Sequence, residues 1–293
     1  MGAACSGPSS DASTPTSLIV PRSESTAPPS TSITPSGPSA STEGFDLATT
    51  AFEVIDGDTF DLFTEDGAAA RVRLIGVDTP ERGECFHDEA RAELRRLLDA
   101  GPVTTEVDVS DVDQFGRSLR YVFVDGTLVK EQLVRDGFAI ARRYPPDTGY
   151  AERLEAAQDD ASSAERGLWA PDACGQRMAG ASSAIVVVAV EADAPGDDAA
   201  NLNGEWVEIA NQGTIDLELT GWTVRDESSS HRYAFPDGFT LAAGTSVRIL
   251  SGCGEDSTGQ LHWCERGSAV WNNNGDTAFV RDPAGNIVSS LDY

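Results

Sequence analysis

The stretch "VIDGDTF", residues 54 to 60, sets two aspartates around a glycine inside an apolar, β-branched run. A strand with one face in a core does not carry a carboxylate on that face without a reason, because isolated burial of a charge is prohibitive. Period-2 alternation puts Asp58 in phase with Phe60 and Leu62, and Thr59 with Asp61 on the other face. "RLIGVDTPER" (73 to 82) repeats the oddity, with Arg73 in phase with Ile75 and Val77, and Asp78 in phase with Val72 and Leu74. Charges on an apolar phase must be paired, hydrogen-bonded or bound to a metal. Asp58, Arg73 and Asp78 are therefore read as one cluster between neighbouring strands. An internal ion-pair network with ordinary Asx turns at "DG" accounts for the same spacing, and the residues alone leave both readings open.

Around these segments the pattern is one of short β-type runs: "TTAFEVID", "DTFDLFT", "ARVRLIGV", "VTTEVDV" and "RSLRYVFV". Three stretches interrupt with helical periodicity: "HDEARAELRRLLDAG", "DGTLVKEQLVRDG" and "GYAERLEAAQDDASSAERGLW". The first puts Ala90, Leu94, Leu97 and Leu98 on one face, and Gly101–Pro102 ends it. Five short strands with three helices predict a closed barrel of the oligonucleotide-binding (OB) type over residues 46–173. Residues 1–45 are dominated by Ser, Thr, Pro, Ala and Gly and read as a flexible stalk. A small-residue linker, 174–183, precedes "AIVVVAVEA", "EWVEIANQG", "LELTGWTVRD", "TSVRILSG", "TAFVRD" and "NIVSSLDY". These runs have no helical stretch between them and predict an antiparallel β-sandwich over 184–293. The fold class expected is mainly β with some α.

The formal charge is −27, and lysine occurs once, at Lys130, so arginine supplies every other cation. A chain this acidic is a poor passive binder of nucleic acid. Acid excess almost without lysine favours a protein of high-salt surroundings, where the Debye length falls to roughly 3 Å at 1 M. Cys85, Cys174, Cys253 and Cys264 suggest two disulfides in an oxidising compartment, with Cys5 left over. No CxxC pair is present, so a zinc site is not expected; five unpaired thiols are the alternative. "MGAACSGPSSDAST" looks like the end of a lipoprotein signal, small residues before Cys5 and a tether after it, without the charged and apolar segments that come first. A lipid anchor at Cys5 and a Cys5 of no significance both stay open; export is expected. No run approaches the roughly 18 apolar residues of a membrane span. With only His87, His231 and His262 in the chain, a histidine-base nuclease has little to work with. In "DVDQFGRSLRYVFV" the turn "FGR" presents Arg117 at the start of a strand, which taken alone is a surface arginine.

"VIDGDTF", then "VRLIGVDTPER", then "DQFGRSLRYVFVDGTLVKEQLVRDGFA" resemble the thermonuclease (staphylococcal nuclease) family, from about Thr49 to Trp169 and including "RGLW". The resemblance implies that Asp58 and Asp78 hold one Ca²⁺, with the backbone carbonyl of Thr79 as a further ligand. It implies Glu81 as the group that orients or deprotonates the attacking water, and Arg73 and Arg117 as the phosphate-binding, catalytic arginines. Asp56 and Asp113 are read as supporting carboxylates, not ligands. The family's substrate-stacking tyrosines lie near "ARRYPPD", where Tyr144 is available, and Arg142 and Arg143 stand where the chain lacks lysines. The loop after "DTPER" is short and carries Cys85, expected to pair with Cys174 and pin the closing helix to the barrel; Cys253 and Cys264 are expected to bridge one loop. The nuclease half, 46–172, has 14 basic and 28 acidic residues, which bears on affinity at low salt.

"GEWVEIANQG", "LTGWTVRDES", "YAFPDGFTLAAGTSVRIL" and "NNNGDTAFVRDPAGNIVSSLDY" resemble the lamin-tail domain, which implies that the sandwich is immunoglobulin-like. Trp206 and Trp222 are expected in its core, and Asp226 and Glu227 beside Ser228 are read as a solvated turn. The expectation for the whole chain is a calcium-dependent extracellular or cell-surface nuclease that cuts DNA and RNA and leaves 3′-phosphate ends. Its sandwich would target or bind, with an unknown protein or the cell envelope as partner. The alternative is a non-catalytic surface protein that binds nucleic acid or envelope.

Overall fold

A computed structural model describes residues 51–63, 69–176, 184–197, 200–228, 230–265 and 269–293. The expected stalk over 1–45, the lipidation site at Cys5 and most of the linker lie outside the described residues. The OB-type sheet begins with an antiparallel meander, β1 (Ala51–Val54), β2 (Thr59–Phe63) and β3 (Ala69–Leu74). After β4 (Val77–Asp78) and helix α1 (His87–Leu98) come β5 (Val103–Glu106) and β6 (Ser118–Val124). β6 runs parallel to β3 and antiparallel to β5, giving the order β1-β2-β3-β6-β5; among the described strands no ladder joins β5 to β1, where a closed barrel was expected. β7 (Thr127–Leu128), α2 (Val129–Arg135), β8 (Ile140–Ala141) and α3 (Ala151–Ser163) complete this half.

The meander's apolar phase fills the core as alternation requires: Phe60, Leu62, Val72 and Leu74 pack with Leu94 and Leu98 of α1, Leu133 of α2 and Leu154 of α3. Alternation fails after Leu74. The chain turns at Gly76, φ +76°, a left-handed conformation that glycine adopts without a Cβ penalty. Val77–Asp78 then leaves β3 and pairs with β8, Asp78 opposite Ile140. Asp78 is thus buried by a turn and a second small sheet, not by the phase of Val72 and Leu74.

The C-terminal half is all β among the described residues apart from a short 3₁₀ turn. β9 (Ile185–Glu191), β10 (Trp206–Asn211), β15 (Ser246–Leu250) and β16 (Gln260–His262) form one sheet in the order β16-β15-β10-β9. β12 (Thr223–Arg225), β13 (Arg232–Ala234), β17 (Thr277–Arg281) and β18 (Ile287–Asp292) form the other, in the order β13-β12-β17-β18. β11 (Leu217–Glu218) and β14 (Thr240–Leu241) pair separately. Val207, Ile209, Trp222, Val224, Val247, Ile249, Trp271 and Val280 fill the space between the sheets. Trp206 is not in that core. It lies on the other phase of β10, half-buried, with the Arg248 guanidinium 3.9 Å from its ring centre.

The two halves share packing inside one compact unit, Thr42–Tyr293. Ile140, Leu168 and Trp169 of the nuclease half form a cluster with Phe279 and Ile287 of the sandwich. In β17 the residues facing away from the sandwich core, Thr277, Phe279 and Arg281, are buried as fully as Ala278 and Val280. The outer face of this sheet covers the nuclease half. Both expected disulfides are present, Cys85–Cys174 and Cys253–Cys264. The first also touches the sandwich, since Asn286 Oδ1 accepts the Cys174 amide at 2.8 Å.

Candidate active site

Asp58 lies one residue ahead of β2, 6 % exposed, where the barrel wall meets α1. Glycine at position 57 is required by close approach: a Cβ there would lie 2.7 Å from that of Ala90 and 2.8 Å from Thr79 Oγ1. Asp56 Oδ1 accepts the Asp58 amide at 3.1 Å and so fixes the turn. Asp58 Oδ2 accepts from the Thr79 amide at 3.2 Å and its hydroxyl at 3.0 Å, and Asp58 Oδ1 from Thr59 Oγ1 at 3.0 Å. Thr79 therefore meets Asp58 through its amide and side chain.

Arg73 joins the two acidic segments. Its Nη1 lies 3.0 Å from Asp58 Oδ2 and its Nη2 3.4 Å from Asp78 Oδ1. One guanidinium fork thus spans two buried carboxylates. Burial pushes the Asp58 carboxyl up to about 7; Arg73 opposes this, and the charges of Asp56 and Asp78 add to it. Burial likewise raises Asp78, against the pull of Arg73, Arg225 and Arg142. Burial is the first cause of both shifts, and a divalent cation would favour the ionised form of both carboxyls. The donors are hard oxygens, which suits calcium and not a thiolate- or imidazole-seeking metal. Among the described residues no three His, Cys, Asp or Glu side chains converge as a ready metal cluster. An ion here would depend on two carboxylates, with carbonyl, water and phosphate oxygens completing its surroundings.

Glu81 is exposed on the loop between β4 and α1, close enough for its charge to be felt at Asp78. His87 Nδ1 lies 2.9 Å from the Pro80 carbonyl, so this histidine closes the loop at the start of α1. Arg117 stands just ahead of β6, and its ion pair is with Asp113, Nε to Oδ2 at 2.6 Å, not with the cluster. Asp113 Oδ1 also accepts the Arg117 and Phe115 amides, so its role is to set this turn and arginine. Arg142 follows β8, donates its amide to the Gly76 carbonyl, and is felt electrostatically at Asp78. Its guanidinium lies 5.3 Å from the ring centre of Tyr144, which is 54 % exposed. Arg143 is turned elsewhere, gripping Glu155 of α3 at 2.7 Å.

One group at the site escapes a reading confined to the nuclease motifs. Arg225, from β12 of the sandwich, reaches Asp78 Oδ2 at 3.6 Å and Glu84 Oε2 at 3.4 Å. Its neighbours Asp226 and Ser228 are buried, at 3 % and 2 % exposure, and Asp226 accepts from Ser228 and pairs with His231. Asp226 and Ser228 thus sit in a buried turn, with Glu227 half-buried between them, where a solvated one was expected. A signal was available: "TVRD" and "AFVRD" each end an apolar strand in Arg-Asp, and β12 and β17 are neighbours.

An OB-type scaffold with paired carboxylates and arginine at the mouth of β2–β4, extended by a β-sandwich, defines a two-module nuclease of the hydrolase class. The comparisons with known proteins agree. The staphylococcal nuclease homologue model matches residues 71–171, and the Lamin Tail Domain model matches 179–293. The thermonuclease of Staphylococcus hyicus is 36 % identical over 122 residues, 40 % of this chain and 72 % of that protein. The thermonuclease of Staphylococcus intermedius is 35 % identical over 122 residues with the same shares covered. The endonuclease YncB of Bacillus subtilis (strain 168) is 34 % identical over 123 residues, 39 % of this chain and 58 % of that protein. The chain belongs to the staphylococcal nuclease homologue family, and a lamin tail domain follows its nuclease domain.

Proposed function

We propose that this nuclease is a calcium-dependent phosphodiesterase that cuts DNA and RNA outside the cell or at its surface. The observation that carries the reading is the Asp58–Arg73–Asp78 bridge, two buried carboxylates held by one fork beside an exposed Glu81. Calcium, when bound, would supply a Lewis acid for the phosphodiester and an anchor for water. Asp58 and Asp78 would hold it, with Thr79 beside them. Glu81 accepts the proton of the attacking water as its oxygen bonds to phosphorus. The 5′ P–O bond breaks, leaving a 3′-phosphate and a 5′-hydroxyl that takes its proton from solvent. Arg73 and Arg117 neutralise the equatorial phosphate oxygens, most strongly as charge grows in the transition state. For Arg117 this requires exchanging part of its contact with Asp113 for phosphate, and its 30 % exposed side chain leaves room to do so. Tyr144 and Arg142 extend the surface along which the strand lies. The two disulfides support export to an oxidising compartment.

Digestion of plasmid and of RNA with Ca²⁺ and with chelator tests the reading, across salt up to molar concentrations. Calcium-dependent cleavage of both is expected; none at any salt would leave only a binding role. Glu81→Gln and Arg117→Ala are each expected to lower kcat by about a hundredfold or more, near 3 kcal/mol of barrier, with melting temperature unchanged. Wild-type turnover in either would remove that residue from the mechanism.

A further inference from the structure

Arg225 is 6 % exposed, and its surroundings are unusually specific for a residue of an appended module. Nη2 donates to the Ser228 carbonyl at 3.1 Å and reaches Asp78 Oδ2 at 3.6 Å, while Nη1 lies 3.4 Å from Glu84 Oε2. Glu84 is a junction. Its Oε2 accepts the Glu81 amide at 3.2 Å, and its Oε1 pairs with Arg232 of β13 at 3.2 Å. Arg281 of β17, also buried, adds a third cation from the same sheet face, and its charge is felt at Glu84 and Asp78. The loop that carries Glu81 is therefore fixed on both sides. At one end Pro80 is held to His87; at the other, Glu84 is held by sandwich arginines and Cys85 is bonded to Cys174.

We propose that the sandwich is a working part of the nuclease site, in which Arg225 positions Asp78 and, through Glu84, the loop bearing Glu81. This rests on the calcium-nuclease reading for the roles of Asp78 and Glu81. Arg225 is a positioning residue: its burial keeps it from the substrate, and it acts through the two carboxylates it touches. Asp78 is then held from two sides, by Arg73 of its own domain and Arg225 of the next. A buried carboxylate that loses one of two cationic partners loses orientation as well as charge balance. Half-exposed Arg232 shares Glu84 but does not touch Asp78, so the two arginines separate the loop from the aspartate.

The test uses the full chain with Arg225→Lys, Arg225→Met and Arg232→Met. Three quantities are read: kcat and KM on an oligonucleotide, calcium binding to the resting protein by calorimetry, and melting temperature. Arg225→Met is expected to lower kcat about tenfold or more while KM moves by less than about twofold, and to weaken calcium binding by about threefold or more. Arg225→Lys keeps a cation beside Asp78 and regains much of the calcium affinity, yet cannot reach both carboxylates, so kcat stays low. Arg232→Met, more than half exposed and safe to fold, lowers kcat a few-fold and leaves calcium binding unchanged. Should Arg225→Met not fold, the other two variants carry the test. Wild-type kcat and calcium affinity in the folded variants, with only a lower melting temperature, would reduce Arg225 to a docking contact and overturn the proposal. Failure of the calcium-nuclease reading looks different: the wild type itself would neither cleave nor bind calcium.

Discussion

Glu227 sits two residues beyond Arg225, half-buried, and its Oε1 accepts from Thr277 Oγ1 at 2.8 Å. Burial, with the nearby charge of Asp276, pushes its carboxyl up to about 8. The folded-state value lies above the unfolded one, so the stabilising contribution is complete below about 4.5 and is lost as pH rises through about 8. Glu227→Gln removes the proton from this equilibrium. It is expected to raise the melting temperature by several degrees at pH 8, with the gain fading toward pH 5, by scanning calorimetry across that range. A gain independent of pH, or one that grows on acidification, would show that Glu227 is ionised in the folded protein. At this scale the sequence is legible where a residue's own strand decides its burial. Asp58 could be placed from the phase of Phe60 and Leu62. Asp78 could be flagged as buried, but the cause, a left-handed Gly76 that swings it onto β8, belongs to a turn that alternation cannot see. Arg225 has only the paired Arg-Asp endings of β12 and β17 as its signal, because a charge at the end of a strand looks solvated until the neighbour that covers it is known.

Among the elements, helix α1 and the meander follow directly from their periodicities, since Ala90, Leu94 and Leu98 are buried as their spacing requires. β13, β14 and β16 did not stand out, because two or three residues are too few to show alternation. The outer face of β12 and β17 carries the larger lesson. A sandwich sheet with polar residues on its outer phase reads as half-solvated, yet here both phases are buried because the nuclease domain supplies the second wall. The Cys85–Cys174 bond fastens that wall. It closes a separation of 89 residues, against 11 for Cys253–Cys264, and chain entropy lost from the unfolded state grows with loop length. The double replacement Cys85→Ser/Cys174→Ser is expected to cost about 2 kcal/mol more than Cys253→Ser/Cys264→Ser, in paired denaturant titrations. Because the first bond also fixes the end of the Glu81 loop, its loss should lower kcat, whereas loss of the second should not. Equal costs, or a larger one for the short loop, would mean that native-state contacts outweigh loop closure here.

For the whole molecule, the difficulty is a chain of net charge −27 acting on a polyanion. Its one lysine cannot help, because Lys130 is 1 % exposed and lies 3.8 Å from the ring centre of Tyr121. The fold's answer is local concentration: Arg73, Arg142, Arg225, Arg232 and Arg281 are gathered from both domains around Asp78 and Glu84. Far-field repulsion falls off over the Debye length, roughly 10 Å at 0.1 M and 3 Å at 1 M, while close, partly buried contacts are screened much less. Added salt should therefore remove the repulsion before it removes the local attraction. With calcium saturating, kcat/KM on a short oligonucleotide is expected to rise or hold steady from about 0.05 to 1 M NaCl, with kcat nearly constant. A protein that binds through many exposed phosphate contacts shows the reverse, losing about a thousandfold or more in affinity over a narrower range. A steep monotonic fall in kcat/KM would mean that exposed arginines govern encounter, and that the acidic bulk has no bearing on the salt in which the enzyme works.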